Sequence, residues 1–180
     1  MKAGIALIPE NRIQEGIFSG LSVGQNLAAA TLDRRKLAGF IRKKAERTDI
    51  QRSIDQLSVR LSSPTQPIDS LSGGNMQKVV VGKWLLFKPR VVVAIEPTQG
   101  VDVGTKQQMY GLFRELAAEG ITVIIFTSDL LELIGLCDRV LVMNRGFLTG
   151  NLRGDQLNEE MIMTAAVSRQ ALHEAGAYRD

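Results

Sequence analysis

The sequence predicts an α/β fold with a parallel β-sheet, and three features carry this prediction. Residues 91–95 form a continuous apolar run, which is typical of a strand buried on both faces of a parallel sheet. Residues 109–116 then carry apolar side chains at the i, i+3, i+4 and i+7 positions of a helix. A strand over 121–126, a short helix over 130–136 and a strand over 139–143 complete an alternation of strands and helices that indicates a parallel α/β domain.

The first seventy residues predict a strand followed by a mainly helical region. The apolar run at 5–8 ends at a proline and predicts a short buried strand. A glycine-punctuated loop follows over 11–24, and a helix begins near Val23. The stretch 40–61 is polar with apolar residues at helical spacing, so it predicts an amphipathic helix. Residues 62–67 contain two prolines and predict a loop.

The end of the chain predicts one more strand and one more helix. Gly120 is a suitable C-terminal cap for the helix that precedes the 121–126 strand. Residues 147–150 follow an Asn-Arg-Gly turn and predict a further strand. Residues 155–166 predict a helix, with a frayed tail beyond it that contains His173.

Composition excludes several classes of protein. A hydrophobic content of 44% with 23% charged residues is that of a globular chain and excludes a disordered one. One cysteine and one histidine exclude a disulfide framework and a metal site that needs two histidines. No apolar run approaches the length of a membrane span, and no signal peptide is recognisable. The basic run 34–47 lacks interleaved aromatic residues, so we expect a solvated helix face and no nucleic-acid partner.

The segment 71–78, Leu-Ser-Gly-Gly-Asn-Met-Gln-Lys, is the sharpest motif in the sequence. Ser72 is a favourable residue to begin the helix that follows, and two glycines leave the first backbone amides accessible. A helix N-terminus of this kind attracts anions such as phosphate. The same residues also fit an ordinary serine-capped helix, so the motif alone leaves both interpretations open.

Several motifs in fixed order resemble those of the ATP-binding cassette (ABC) ATPases. Leu-Ser-Gly-Gly-Asn at 71–75 is followed by Ile-Glu-Pro-Thr at 95–98, Gly-Val-Asp at 100–102 and a further strand–helix–strand pattern. The sequence most resembles the second cassette of the double-cassette ATPases of bacterial monosaccharide importers of the ribose, xylose and galactose type. Residues 4–12 match that family's GI-x-x-IPEDR segment, and 135–143 match its GLSDRI-x-VM segment. The resemblance covers residue 3 to about 167.

The resemblance implies a P-loop NTPase-like parallel sheet with a small helical subdomain. It implies that the chain is a partial nucleotide-binding domain: a helical subdomain at 20–68, a signature helix and core sheet at 69–150, and a C-terminal helix and tail at 151–180. The sequence contains no G-x-x-x-x-G-K-[ST] phosphate-binding motif. The N-terminal strand and P-loop of the family are therefore missing. We expect an in-frame P-loop within about a hundred residues upstream of Met1.

The resemblance also assigns roles to individual residues. Glu96 corresponds to the catalytic carboxylate that accepts a proton from the attacking water or orients that water. Asp102 belongs to the loop that links the two sites of a cassette pair. Glu10 stands where other cassettes carry the glutamine that senses Mg²⁺ and the transmembrane partner, and Ser128 stands at the switch histidine. The signature residues, which contact the γ-phosphate of ATP held by the opposing cassette, are Ser72, Gly73, Gly74 and Asn75.

Two positions depart from the catalytic pattern of the family. Ile95 occupies the position of the Walker B aspartate and offers no oxygen to Mg²⁺; we expect Ile95 to pack in the core. Ser128 replaces the switch histidine, as it often does in the sugar-importer second cassettes. A solvated and inert Glu96 is therefore the alternative to a catalytic one. ATP and Mg²⁺ are expected only in a composite site with a P-loop-containing partner, and no metal site is expected in this chain alone.

The resemblance implies the ATP-binding subunit, here in part, of a carbohydrate importer that couples ATP binding and hydrolysis to sugar uptake. Its partners would be another cassette, arranged head to tail, and transmembrane permease subunits, which implies a peripheral location on the cytoplasmic face of the bacterial inner membrane. A catalytically inactive remnant or regulatory module that docks on a permease or an intact cassette is the alternative. Whether the chain is an enzyme stays open, and without a P-loop we expect no ATP hydrolysis by the chain alone.

Overall fold

A computed structural model of the chain describes residues 3–37, 40–41 and 43–168. The chain divides into two compact units, one ending at Phe126 and the other beginning at Thr127. The elements of the first unit are, in order, β1 (Ile5–Ile8), α1 (Val23–Ala28), β2 (Lys36–Leu37), β3 (Phe40–Ile41), α2 (Lys43–Gln56), α3 (Gly73–Leu85), β4 (Val91–Ile95), α4 (Val103–Ala118) and β5 (Thr122–Phe126).

The first unit is built on a three-stranded parallel sheet with the order β1-β4-β5. The predicted parallel sheet is therefore confirmed, and so are the predicted strands at 5–8, 91–95 and 121–126, the last beginning at Thr122. One face of this sheet is buried through Ala6, Ile8, Val92 and Ala94. α4 carries the predicted apolar stripe, in which Met109, Leu112, Phe113 and Leu116 are all buried.

The other face of the parallel sheet is apolar and exposed. Ile5 is 48% exposed, Leu7 44%, Ile124 44% and Phe126 55%. The strand register places these four residues on one face, together with Ile95, which pairs with Phe126. Ile95 is thus only partly buried, and the expectation that it packs in the core is wrong. Parallel sheets are normally covered on both faces, whereas this face is exposed in the part of the chain that the structure describes.

The predicted helix at 40–61 is shorter than expected at both ends. Phe40–Ile41 pairs antiparallel with Lys36–Leu37, and α2 begins at Lys43. α2 ends because Ser58 adopts a left-handed conformation with φ of 49°. The Val59 N–H then donates to the Ile54 carbonyl, and the Ser58 N–H donates to the Asp55 carbonyl. This pattern is a Schellman C-cap, which terminates the helix before residue 61.

Lys83 on α3 is a buried lysine that contacts a backbone carbonyl and two aromatic rings. Its side chain is 6% exposed, and its Nζ donates a hydrogen bond of 2.6 Å to the carbonyl of Gly16. The same Nζ lies 5.5 Å from the ring centroid of Phe18 and 5.2 Å from that of Trp84. Burial lowers the pKa of the Lys83 ammonium below its ordinary value of 10.5.

The lowered pKa of Lys83 predicts a pH-dependent contribution to stability. The folded state binds this proton less tightly than the unfolded state, so the free energy of unfolding should rise with pH from the lowered pKa up to 10.5. Lys83→Met removes the buried charge and should remove this rise. In urea unfolding between about pH 7 and pH 10, the free energy of unfolding of the wild type should rise relative to that of the variant. Parallel curves would contradict the prediction.

The second unit contains α5 (Leu130–Leu136), β6 (Arg139–Asn144), β7 (Phe147–Arg153) and α6 (Glu159–Val167). The strand predicted at 139–143 pairs antiparallel with β7 and, among the described strands, with no strand of the parallel sheet. The antiparallel pairing follows from the two-residue turn between β6 and β7, in which Arg145 and Gly146 both have positive φ. Such turns favour a tight hairpin.

α6 and its surroundings complete the second unit. The helix predicted from 155 begins at Glu159, after a 3₁₀ turn over Gly154–Gln156. Asn158 caps α6 by accepting the Met161 N–H at 2.9 Å. α6 packs on the hairpin through an apolar cluster of Val140, Val142, Leu152, Ile162 and Ala165. The predicted tail that contains His173 lies outside the described residues. Within residues 3–168, as far as they are described, every helix is too short or too polar to cross a membrane.

Candidate functional site

The N-terminus of α3 carries the predicted signature residues. Ser72 is exposed and occupies the N-cap position, as expected, but its side chain does not cap the helix. Its Oγ accepts instead a hydrogen bond of 3.0 Å from the Asn75 side-chain amide. The Asn75 Oδ1 in turn accepts the Arg60 N–H at 2.8 Å. Because no side chain caps α3, its first backbone amides remain available to a ligand.

Gly73 and Gly74 are packed so closely that a side chain would not fit without movement. A Cβ on Gly73 would lie 2.9 Å from the Arg12 Nη2, and a Cβ on Gly74 would lie 2.6 Å from the Thr105 Oγ1. Close packing against Arg12 and Thr105 therefore favours glycine at both positions. This reason adds to the access that glycine gives a phosphate to the backbone amides.

We predict that Gly74→Ala destabilises the chain by about 1–3 kcal/mol, because the added methyl group overlaps a fixed hydroxyl. Thr105 cannot simply rotate away, since its Oγ1 donates to Asp102 at 2.8 Å. Gly111→Ala is the matched control: it lies within α4, and nothing lies within 4 Å of its added Cβ. That control should gain up to about 1 kcal/mol. Urea unfolding measures both, and equal effects of the two variants would refute the packing argument.

Asp102 is the N-cap of α4. Its carboxylate accepts the Thr105 N–H at 2.9 Å and the Thr105 Oγ1–H at 2.8 Å. These hydrogen bonds, the backbone one first, lower the pKa of the Asp102 carboxyl. Thr105 also contacts Gly74. Asp102, which is predicted to link the two sites of a cassette pair, is therefore connected to the signature segment through the side chain of Thr105.

Glu10 and Glu96 lie at the same edge of the parallel sheet. Glu10 follows β1 and Glu96 follows β4, and these strands are parallel neighbours with Ile8 paired to Ala94. Glu10 is exposed, and Glu96 is partly buried. The carboxyl edge of a parallel sheet is the usual position of ligand sites in α/β proteins.

The backbone at Glu96 is strained. Its φ of 44° is left-handed, a conformation that costs a residue with a side chain on the order of 1 kcal/mol. The Glu96 N–H donates to the Phe126 carbonyl at 2.7 Å, and the Glu96 carbonyl accepts the Gln99 N–H at 3.1 Å. The neighbouring Pro97 carbonyl accepts a buried hydrogen bond of 2.8 Å from Gln77 on α3. The turn is therefore held in place by both the sheet and the signature helix.

Arg12 and Gln77 are two residues of the site that were not predicted from the sequence. Both bind backbone carbonyls of the loop after β4: Gln77 binds Pro97, and Arg12 binds Gln99 and Gly100. Both residues lie within the motif-bearing segments 4–12 and 71–78, and this position is the one feature of the sequence that could have pointed to them. No pattern in the sequence, however, pairs a side chain with a carbonyl some ninety positions away.

Ser128 lies in the second unit, in the loop that follows β5, and its side chain is exposed. The adjacent Asp129 caps α5 by accepting the N–H groups of Leu131 and Glu132. In the second unit, Ser128 is therefore next to a well-formed helix N-terminus.

Among the described residues, no three or more histidine, cysteine, aspartate or glutamate side chains lie together so as to hold a metal ion. Ile95, immediately before Glu96, contributes no oxygen where a hard cation would require one.

Comparisons with known proteins give the following relatives. No family model matches the chain. The xylose import ATP-binding protein of Pseudomonas fluorescens (strain Pf0-1) is 44% identical over 96% of the chain and 33% of that protein. The ribose import ATP-binding protein of Geobacillus kaustophilus (strain HTA426) is 45% identical over 91% of the chain and 33% of that protein. The chain spans about a third of the length of these relatives.

Solved structures give the same fold. The ATP-binding cassette MJ0796, in a dimeric post-hydrolysis state bound to ADP and Pi, matches 83% of the chain with a TM-score of 0.70 at 19% identity. CbiO1 from Clostridium perfringens, part of an ABC transporter complex, matches 91% of the chain with a TM-score of 0.71 at 24% identity. The chain covers 62% of each structure. Sequence similarity over more than nine tenths of its length relates this chain to part of the xylose and ribose import ATP-binding proteins, and the chain has the fold of the ATP-binding cassette ATPases.

Proposed function

We propose that this chain supplies the signature half of an ATP site shared with a second cassette, as part of the ATP-binding subunit of a bacterial sugar importer. The observation that carries the proposal is the beginning of α3: an exposed Ser72, two tightly packed glycines and no side-chain cap. Amides at a helix N-terminus attract the charge of a phosphate. The similarity to xylose and ribose import ATP-binding proteins supports a monosaccharide as the transported substrate.

Roles are also proposed for Glu96, Asp102, Glu10 and Ser128. Glu96 is the proposed catalytic carboxylate, and its left-handed backbone supports a functional role, since strain of this kind is concentrated at functional sites. Asp102 is proposed to relay the state of one site to the other through Thr105 and Gly74. Glu10 is proposed to face the membrane partner, and Ser128, in the second unit, to replace the switch histidine of other cassettes.

The proposed partners are a second cassette, arranged head to tail, and transmembrane permease subunits at the cytoplasmic face of the inner membrane. The second cassette provides the P-loop. Because Ile95 provides no metal ligand, any Mg²⁺ of the shared site is held by the partner's residues and the nucleotide. We therefore expect the binding of ATP to drive the association of the two cassettes. We expect no ATP hydrolysis by this chain alone.

A second candidate is an inactive remnant or regulatory module that docks on a permease or an intact cassette. Ile95 in place of a carboxylate favours this candidate, because a cassette that no longer hydrolyses ATP has no use for an oxygen ligand at that position. The two candidates differ in their dependence on nucleotide: the first needs ATP for association, and the second does not.

Sedimentation of the chain with an intact, hydrolysis-deficient cassette tests the proposal. We expect a one-to-one complex with ATP and separate species with ADP or without nucleotide, because the γ-phosphate joins the two halves. A variant of the intact cassette that lacks the P-loop lysine is the control and should form no complex. A complex that forms equally well without ATP would contradict the proposal and favour the docking module.

A further inference from the structure

We infer that Arg12 is a positioning residue that holds the loop after β4 against the beginning of α3; the inference rests on the proposed role of Ser72–Asn75. Arg12 lies in a single helical turn, Arg12–Gly16, that follows β1. Its Nη1 donates to the Gln99 carbonyl at 2.9 Å, and its Nη2 donates to the Gly100 carbonyl at 3.4 Å. The two nitrogens of one guanidinium thus bind two consecutive carbonyls, a geometry that suits a rigid fork.

The same guanidinium also packs against the signature segment. A Cβ on Gly73 would lie 2.9 Å from the Arg12 Nη2, and a Cβ on Gly100 would lie 3.6 Å from it. One nitrogen therefore lies between two glycines that are far apart in sequence, and Gly100 is left-handed with φ of 65°. The absence of a side chain on either glycine lets the guanidinium approach both backbones.

The Arg12 Nε makes no hydrogen bond that helps to hold the side chain in this position. The Nε is buried and has no hydrogen-bond partner among the described residues. A buried donor without a partner is unfavourable, so the arrangement must be maintained by the two carbonyl contacts and by packing. The hydrogen bonds of both Nη atoms are charge-assisted and therefore stronger than those of a neutral donor.

Arg12 and Thr105 together fix the two signature glycines. Arg12 packs against Gly73, and Thr105, which is held by Asp102, packs against Gly74. Arg12 reaches this position from the segment that follows β1, two residues after Glu10. It therefore connects three parts of the proposed site: the segment of Glu10, the loop that leads to Asp102 and the first turn of α3.

Nuclear magnetic resonance of Arg12→Lys, in the full chain without nucleotide, tests the inference. Lysine keeps the charge but cannot bind two carbonyls as a fork. We expect altered amide shifts at Gly73 and Gly74, and roughly tenfold faster hydrogen exchange at Gln99 and Val101, as the loss of a charge-assisted hydrogen bond implies. Exchange within Val91–Ile95, which reports global unfolding, should not change. Arg52→Lys on the exposed face of α2 is the matched control and should alter none of these.

Gly73→Ala provides a second test that leaves Arg12 in place. Its added methyl group displaces the guanidinium from the other side, so it should produce the same faster exchange at Gln99 and Val101. Unchanged loop exchange in both variants would overturn the inference, and so would acceleration within Val91–Ile95 by the same factor as in the loop. Because no nucleotide or partner is present, failure of the proposed ATP-dependent association would leave this result unaffected.

Discussion

Extending the chain at its N-terminus with the strand–P-loop–helix segment of a relative should raise its melting temperature by roughly 6–24 °C. Ile5, Leu7, Ile124 and Phe126 lie about half exposed on one face of a parallel sheet. Covering them should contribute roughly 3–6 kcal/mol, taking half of the value for fully buried apolar side chains. For a domain of this size, each kcal/mol raises the melting temperature by about 2–4 °C.

The open edge of β5 supports the same prediction. β5 lies at the end of the order β1-β4-β5 and pairs only with β4 among the described strands. An added strand can therefore join the sheet at β5 while its helix covers the apolar face. The chain covers 62% of each of the two solved structures described above.

Thermal unfolding by circular dichroism, together with binding of a hydrophobic dye, measures the effect of the extension. The extended chain should melt higher and bind less dye than the 180-residue chain. The control is an extension of scrambled sequence and equal composition. Ile124→Asp should cancel most of the gain, because it places a charge under the new helix. An unchanged melting temperature with unchanged dye binding would show that this face is not the docking surface of that segment.

Ser72→Asp should weaken ATP-dependent association with an intact cassette by more than about tenfold while leaving the chain equally or more stable. Aspartate is a favourable N-cap, and α3 has no side-chain cap at present. A negative charge about 4 Å from a phosphate costs several kcal/mol at an effective dielectric constant of about 20. Association should therefore weaken while the free energy of unfolding stays the same or rises.

Ser62→Asp is the matched control for this substitution, since Ser62 is exposed and lies outside the signature segment. It adds the same charge and should leave association unchanged. Sedimentation with ATP measures association, and urea unfolding measures stability. Loss of association accompanied by an equal loss of stability would indicate a folding defect, and undiminished association would remove Ser72 from the proposed phosphate contact.

Much of the fold could be predicted from the sequence because periodicity and turn residues are local signals. The stripe from Met109 to Leu116 and the apolar run at 91–95 identified α4 and β4. The predictions failed at features that the local sequence pattern does not determine. The left-handed Ser58 ends α2, although serine is not the usual residue for that conformation. The turn at Arg145–Gly146 pairs β6 antiparallel with β7, and the apolar pattern of a short strand does not reveal which strand it pairs with.

The motif residues of the candidate site could be proposed from the sequence. The side-chain contacts that hold the motifs together could not. Motif order identified Ser72, Glu96 and Asp102 through resemblance, and their chemistry follows from their residue types. The side chains that hold these motifs together act across large separations in sequence: Gln77 binds Pro97, and Arg12 binds Gln99. The hydroxyl of Ser72 bonds to Asn75 and not to the backbone of α3, because two polar side chains three residues apart compete with the cap.

Photo-crosslinking with an ATP analogue that carries its reactive group on the γ-phosphate tests most directly whether this chain supplies the signature half of a shared site. The chain is mixed with an intact cassette and the analogue, irradiated and analysed by peptide mass spectrometry. We predict labelling within residues 71–75, and only when the intact cassette with its P-loop is present. Labelling of this segment in the chain alone, or labelling confined to the intact cassette when both are present, would contradict the account.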